Sequence, residues 1–95
     1  MLAFKTPMES ILQIAQRARS QRLSQNLSRK TLAKISGVPE ASIKRFEQTG
    51  QIALLSLLKI AYVLGCIESF DPLFAPKENL SLEQILRKER SRGRT

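Results

Sequence analysis

The sequence predicts an all-α fold, because helix start and stop signals recur along the chain and the apolar residues between them follow helical spacing. Residues 6–9, TPME, form a capping box with proline at the first helical position. Gly37 and Gly65 stand where helices are expected to end, since glycine adopts the left-handed conformation of a helix C-cap at little cost. With 95 residues, 42% of them hydrophobic, the chain has material for a single modest core.

The first helix is predicted from Pro7 to about Gln25. Helical spacing places its apolar residues on one stripe facing the core, and its polar residues on the outside. The predicted inward residues are Ile11, Leu12, Ala15 and Ala18, and the predicted outward ones are Gln16, Arg17 and Arg19.

Residues 27–50, LSRKTLAKISGVPEASIKRFEQTG, predict two short helices joined by a tight turn. Ser28 is a favourable N-cap, so the first of these helices is expected to begin near Arg29 and to end at Gly37. Pro39 has a φ that suits a helix entry, and the second helix is expected to start at Glu40. The residues expected to face inward are Leu32 and Ile35 in the first helix and Ile43 and Phe46 in the second.

A fourth helix is predicted from Leu54 to Leu64, with Ala53 as a poor cap because it lacks the usual hydroxyl. Its core residues are expected to be Leu57, Leu58, Ala61 and Leu64.

An apolar turn ending at Pro76 follows the fourth helix. A second capping box, SLEQ at residues 81–84, opens a C-terminal helix with Leu82, Ile85 and Leu86 on one side, followed by the basic tail KERSRGRT. The predicted division is therefore a domain at 1–76 and a C-terminal helix with a basic tail at 77–95.

The charge predicts a polyanionic partner. Sixteen Lys and Arg against eight Asp and Glu give a net charge of +8, and the pI is near 10.4. A basic protein without such a partner is the alternative, since net charge also affects solubility.

Several function classes have little support in the composition. There is no His, and Cys66 is the single cysteine, so a metal site has too few ligands and a disulfide has no second thiol in the chain. We expect no cofactor, no catalytic residues and no enzyme activity, because a general base and a phosphate-binding glycine loop are both missing. The longest apolar run, 52–65, is interrupted by Ser56 and Lys59 and is too short to span a bilayer. We expect a cytoplasmic protein.

The motif L-S-x-x-x-L-A-x-x-x-G-V-x-x-x-S-I-x-R-F-E-x-x-G, followed at 57–65 by L-L-x-I-A-x-x-L-G, resembles the helix-turn-helix of the Cro/repressor-like (Xre) family. The resemblance covers about residues 18–65. It implies a five-helix DNA-binding domain with its motif at 28–48, whose second motif helix lies in the major groove. The stretch 44–65, the basic tail and the length most resemble HipB-type antitoxins, which are autorepressors that bind a HipA-like kinase toxin.

The resemblance also implies roles for individual residues. It assigns base reading to Glu40, Ala41, Lys44 and Arg45, with Arg45 the strongest candidate because a guanidinium binds two acceptors on guanine. The alternative is that these side chains form only the solvated face of an amphipathic helix. The resemblance implies a partly buried ion pair between Arg22 and Glu47, and the alternative is two exposed charges that each contact water. The residues expected to contact DNA phosphates are Ser28, Arg29, Lys30, Ser42 and Gln48.

The resemblance implies a homodimer that binds a palindromic operator in double-stranded DNA, because one motif reads only a few base pairs. The apolar turn is expected to form the dimer interface, through Ile67, Phe70, Leu73 and Phe74. The alternative is a fifth helix here that packs only on its own chain. The function expected is an autorepressor and antitoxin of a HipA-like kinase. A stand-alone Xre-type regulator without a toxin is the alternative, as is a protein-interaction module whose main partner is another protein.

Overall fold

The computed structural model describes residues 5–76, and it is all-helical over this range. The helices are α1, Pro7–Ser24; α2, Arg29–Ser36; α3, Glu40–Thr49; and α4, Leu54–Leu64. A short 3-10 helix, Ile67–Ser69, follows. The all-α prediction is confirmed, but the described residues contain four α-helices rather than five, because the chain after α4 forms only 3-10 and turn structure. The helix predicted from Ser81 and the basic tail lie outside the described residues.

Local capping signals in the sequence set the helix ends. The Thr6 hydroxyl accepts a hydrogen bond from the Glu9 amide at 3.1 Å, and the Glu9 carboxylate accepts one from the Thr6 amide at 2.9 Å. The Ser28 hydroxyl likewise accepts from the Thr31 amide at 3.0 Å. Gly37 ends α2 in the left-handed conformation at φ 80°. These four predicted signals therefore act as expected, and each satisfies amide or carbonyl groups that a helix end leaves open.

The core lies where α2, α3 and α4 meet, with α1 packed across α3. Its main cluster consists of Leu32, Val38, Ile43, Ile60 and Leu64. The aromatic ring of Phe46 is also buried and adds a large apolar surface to α3. Leu57 and Leu58, expected in the core, are only partly buried.

Two predicted core residues are on the surface instead. Ile35 is 59% exposed and Leu12 is 42% exposed. Helical spacing identifies which residues lie on the apolar side of a helix. In α1 and α2 the neighbouring helices cover only part of that side, and Leu12 and Ile35 lie on the uncovered part. Val38, in the turn after α2, and Ile60, on α4, are buried at the centre instead.

Gly50, at the end of α3, lies against α1. It is buried and left-handed, with φ 80°. A Cβ atom at this position would lie 2.9 Å from Ile11 Cγ1 and 3.2 Å from the Ile11 carbonyl carbon. Gly37 has the same φ, but a Cβ there would meet nothing within 4 Å. The two glycines therefore share a backbone requirement, and only Gly50 also has a packing requirement.

We predict that Gly50→Ala lowers the free energy of unfolding more than Gly37→Ala does. Gly37→Ala should cost about 1–2 kcal/mol, which is the penalty for a left-handed alanine. Gly50→Ala should lose about 1–3 kcal/mol more, because Ile11 must move to admit the methyl group. Urea unfolding followed by circular dichroism measures both variants. Equal losses would contradict the close packing of α1 on Gly50.

Candidate nucleic-acid interface

One side of α3 is buried and the other is open to solvent. Ile43 and Phe46 face the core. The solvent side, which we call the α3 outer face, consists of five exposed residues: Glu40, Ala41, Lys44, Arg45 and Gln48. The structure therefore brings all four predicted base-reading residues together on one surface, with Gln48, a predicted phosphate contact, among them. These side chains combine a carboxylate, a methyl group, two cations and an amide.

Arg45 is held by a small network at the end of α3. Its Nη2 donates to Gln51 Oε1 at 2.6 Å. The Thr49 hydroxyl donates to the Arg45 carbonyl at 2.7 Å, and the Gln51 amide donates to Thr49 Oγ1 at 3.1 Å. Sequence reasoning missed Gln51, because the residue lies in the loop before α4, where no periodic pattern marks it. The network leaves further guanidinium donors of Arg45 open, since arginine has five.

A shallow cleft of about 300 Å³ lies beside the α3 outer face. Ala53 caps α4 without a side-chain hydrogen bond, as its residue type predicted, so the N-cap residue offers the first amides of α4 no side-chain acceptor. Amides at a helix N-terminus attract anions. The cleft is lined by Ser42, Arg45, Gln51, Ile52, Ala53 and Ser56. Ser42, a predicted phosphate contact, is thus placed next to a guanidinium and an uncapped helix end.

The Glu47 carboxylate joins α3 to two other helices. Arg22 Nε donates to Glu47 Oε2 at 2.7 Å, and Arg22 Nη2 donates to Glu47 Oε1 at 3.1 Å. The two side chains are only 6% and 3% exposed, so the predicted pair of Arg22 and Glu47 is present and buried. Arg22 Nη1 also donates to the Leu27 carbonyl at 2.8 Å. A bidentate pair of this kind fixes the orientation of α3 against the end of α1.

Arg29 adds a second cation to the same carboxylate. Its Nε donates to Glu47 Oε1 at 2.9 Å, while its side chain stays 30% exposed. Burial alone raises the pKa of Glu47, but hydrogen bonds from Arg22 and then Arg29, with their positive charges, outweigh burial and hold this pKa below its ordinary value. Arg29 was predicted only as a phosphate contact. The contact with Glu47, 18 residues away in sequence, was missed.

The remaining predicted phosphate contacts and dimer residues differ in how exposed they are and in whether they already make hydrogen bonds. Lys30 is exposed in the first turn of α2. The Ser28 hydroxyl accepts from the Thr31 amide and donates to Thr31 Oγ1, both at 3.0 Å, so its single donor is engaged within α2. Among the predicted dimer residues, Ile67 and Phe70 are partly buried, whereas Leu73 and Phe74 are exposed.

Comparison with known proteins identified no relative of this chain. No protein-family model, no curated protein and no solved structure matches this chain.

Among the described residues, no cluster of His, Cys, Asp or Glu is arranged to bind a metal ion. Also within 5–76, none of the helices combines the length and the apolar character that crossing a membrane requires.

We predict that Arg22→Ala destabilises the fold far more than Arg29→Ala. The first change leaves a buried carboxylate without its bidentate partner and should cost about 3–5 kcal/mol. The second removes a partly exposed partner and should cost less than about 1 kcal/mol, because Arg22 remains in place. Urea unfolding at neutral pH gives both values. Similar losses for the two variants would show that Arg22 does not hold the buried side of Glu47.

Proposed function

We propose that this protein is a sequence-specific repressor that binds double-stranded DNA by inserting the α3 outer face into the major groove. The observation that carries the proposal is the grouping of Glu40, Ala41, Lys44, Arg45 and Gln48 on one exposed helix face. The major groove admits an α-helix, and the net charge of +8 favours approach to a polyanion. A helix anchored by buried side chains on its other side holds such groups in fixed positions.

Individual side chains on this face suit different base edges. Arg45 is assigned to guanine, whose O6 and N7 accept two hydrogen bonds from a guanidinium. Lys44 offers the same charge with a less directional geometry. Ala41 suits contact with a thymine methyl group, and Glu40 can accept from the cytosine amino group. Gln51 restrains Arg45 before DNA arrives, which reduces the entropy lost on binding.

Phosphate contacts are assigned to the residues around this face. The cleft at the N-terminus of α4, with Ser42 and Arg45 on its wall, suits a phosphate oxygen. Lys30 in the first turn of α2 and Gln48 near the end of α3 provide further donors, as do the remaining donors of Arg29. Ser28 can contact a phosphate when its hydroxyl turns away from Thr31 Oγ1. Such contacts position the helix on the duplex without reading its sequence.

We also propose a homodimer on a palindromic operator, with Ile67, Phe70, Leu73 and Phe74 at its interface. Phe74 is fully exposed and has φ 64°, a left-handed conformation that is costly for a bulky residue. An exposed aromatic ring on strained backbone is typical of a residue that gains a contact elsewhere. A two-fold partner would bring a second α3 to a half-site about one helical turn away.

The finer proposal is that the repressor is the antitoxin of a HipA-like kinase and regulates its own operon. It rests on the resemblance of residues 44–65 and of the basic tail. The alternative is a stand-alone Xre-type regulator. A kinase encoded beside this gene that copurifies with the protein would favour the antitoxin, and a purified repressor without such a neighbour would favour the alternative.

We predict that the protein binds DNA from upstream of its own gene at least ~10³-fold more tightly than a scrambled duplex. Arg45→Ala should weaken binding to the specific duplex by about 1–3 kcal/mol and leave binding to the scrambled one nearly unchanged. Fluorescence anisotropy at two salt concentrations measures both affinities.

Arg17→Ala is the matched control, because it removes the same charge from an exposed position on α1. It should preserve the preference for the specific duplex and lower affinity only slightly. If both duplexes bind alike and salt abolishes binding, the attraction is non-specific and the proposal is wrong.

We predict that Leu73→Ser with Phe74→Ser shifts the protein from dimer to monomer, because it removes the two most exposed apolar side chains of the interface. Sedimentation equilibrium measures the association constant. Leu12→Ser is the control, since it removes an exposed leucine from α1 and should leave the dimer intact. A dimer that survives the double change would place the interface elsewhere.

A further inference from the structure

An apolar groove of about 320 Å³ lies between α2 and α4, away from the residues assigned to DNA. We call it the α2–α4 groove. Most of its lining side chains are apolar, among them Ile35, Leu58, Tyr62 and Val63, and the charged residue in the lining is Lys59. Ile35 is 59% exposed and Tyr62 is 74% exposed. The groove is therefore an apolar surface open to solvent, which is typical of an interaction site.

The apolar turn, residues 67–76 with the sequence IESFDPLFAP, carries groups that complement this groove. It contains Glu68 and Asp71 and no Lys or Arg, and both acidic residues are exposed. Within residues 5–76 the salt bridges are those of Glu47, so neither of these carboxylates is neutralised there. Phe74 is fully exposed and Leu73 is 57% exposed. The turn thus presents apolar side chains together with negative charge, whereas the groove is apolar with a positive charge.

The apolar turn does not fill the groove of its own chain. Ile67 lines the groove, and tight turns follow it: the amide of Phe70 donates to the Ile67 carbonyl at 3.0 Å, and the amide of Leu73 donates to the Phe70 carbonyl at 3.1 Å. The Phe74 ring at the end of these turns is fully exposed, so it does not pack on the groove beside it. A groove and a projecting ring on one chain can instead pair between two copies related by a two-fold axis.

Charge favours this pairing over other contacts between two copies. Each chain has a net charge of +8, so two copies repel each other at most orientations. Contact between the apolar turn and the groove brings Asp71 of one copy to Lys59 of the other. Opposite charges that meet across an interface direct association and select its geometry. The turn is therefore the part of the described surface best suited to approach a basic neighbour.

The exposed apolar side chains also supply the area that a dimer needs. A standard interface buries about 800 Å² on each partner. Aromatic side chains bury about 150–250 Å² each, so Phe74 and Tyr62 together provide about half of that area. Ile35, Leu55 and Leu73, each more than half exposed, provide much of the remainder. Contact through the turn alone would leave Tyr62 and Ile35 outside the interface and bury a smaller area.

We infer that the apolar turn of one copy packs into the α2–α4 groove of a second copy, and the reverse, with Phe74 against Ile35 and Tyr62 and Asp71 facing Lys59. A two-fold axis makes each of these contacts occur twice. The inference rests on the proposed homodimer and extends its interface from the turn to α2 and α4. None of the groove residues belongs to the α3 outer face, so base reading is tested separately.

Charge reversal at the two facing positions tests the arrangement. Lys59→Glu places two carboxylates at each contact, and Asp71→Lys places two ammonium groups there. Each variant should weaken the dimer by about tenfold or more, because like charges across an interface oppose association. Lys59→Glu should do so even though it lowers the net charge. Arg17→Glu, the control on α1, makes the same change of charge and should leave the association constant within about twofold. Sedimentation equilibrium measures these constants.

Mixing the two variants shows whether the contact lies between copies. A dimer of one Lys59→Glu chain and one Asp71→Lys chain has opposite charges at both contacts, so the mixture should associate as tightly as the unchanged protein. Both changes in one chain should also restore a homodimer, but that double variant should pair poorly with the unchanged protein. If mixing fails to restore association, Lys59 and Asp71 do not face each other and the inference is overturned.

Tyr62→Ser tests the apolar part of the interface. It should weaken the dimer at least about 30-fold, as truncation of a central aromatic residue does, and Leu12→Ser on α1 should not. A dimer that ignores both Tyr62→Ser and the charge reversals would leave the groove to another partner and overturn the inference, while the homodimer would stand. An unchanged protein that stays monomeric would overturn both. Arg45→Ala should dimerise normally, so a failure of base reading is recognised independently.

Discussion

The buried carboxylate of Glu47 is the constraint on which the arrangement of the helices depends. A charged group with 3% of its side chain exposed must receive hydrogen bonds, because an unpaired buried charge costs several kcal/mol. Arg22 on α1 and Arg29 on α2 supply them from different helices. Since Glu47 itself lies on α3, one carboxylate joins three helices, and the buried contact with Arg22 is the stronger of its two links. A hydrophobic contact at the same place would tolerate rotation of α3, whereas these directional bonds do not.

The orientation of α3 determines which of its side chains remain available for function. With Glu47, Ile43 and Phe46 turned inward, Arg45 lies on the opposite side of α3 and Lys44 lies between the two sides, because each residue advances about 100° around the helix. Gly50 then ends α3 against Ile11 and begins the loop that carries Gln51 to Arg45. The packing of α1 is thus transmitted to the guanidinium assigned to base reading.

Local signals in the sequence predicted the helix boundaries well, because capping chemistry involves residues only two or three apart. Thr6, Ser28 and Gly37 act as expected for this reason. Contacts made across the fold were harder to predict. The pair of Arg22 and Glu47 was implied only by the family resemblance, and the Arg29 contact was missed because both partners also suit solvent. Ile35 was placed inside because periodicity identifies an apolar stripe without showing how much of it has a partner.

The position of α4 links the core to the cleft assigned to phosphate. Ile60, Ala61 and Leu64 bury one side of α4, while Ala53 and Ser56, near its N-terminus, line the cleft. An 11-residue helix is a short, stiff rod, so the packing of its buried residues also sets where its first amides lie. The core contacts of α4 therefore place these amides beside Arg45, just as the contacts of α1 and α3 place the guanidinium itself.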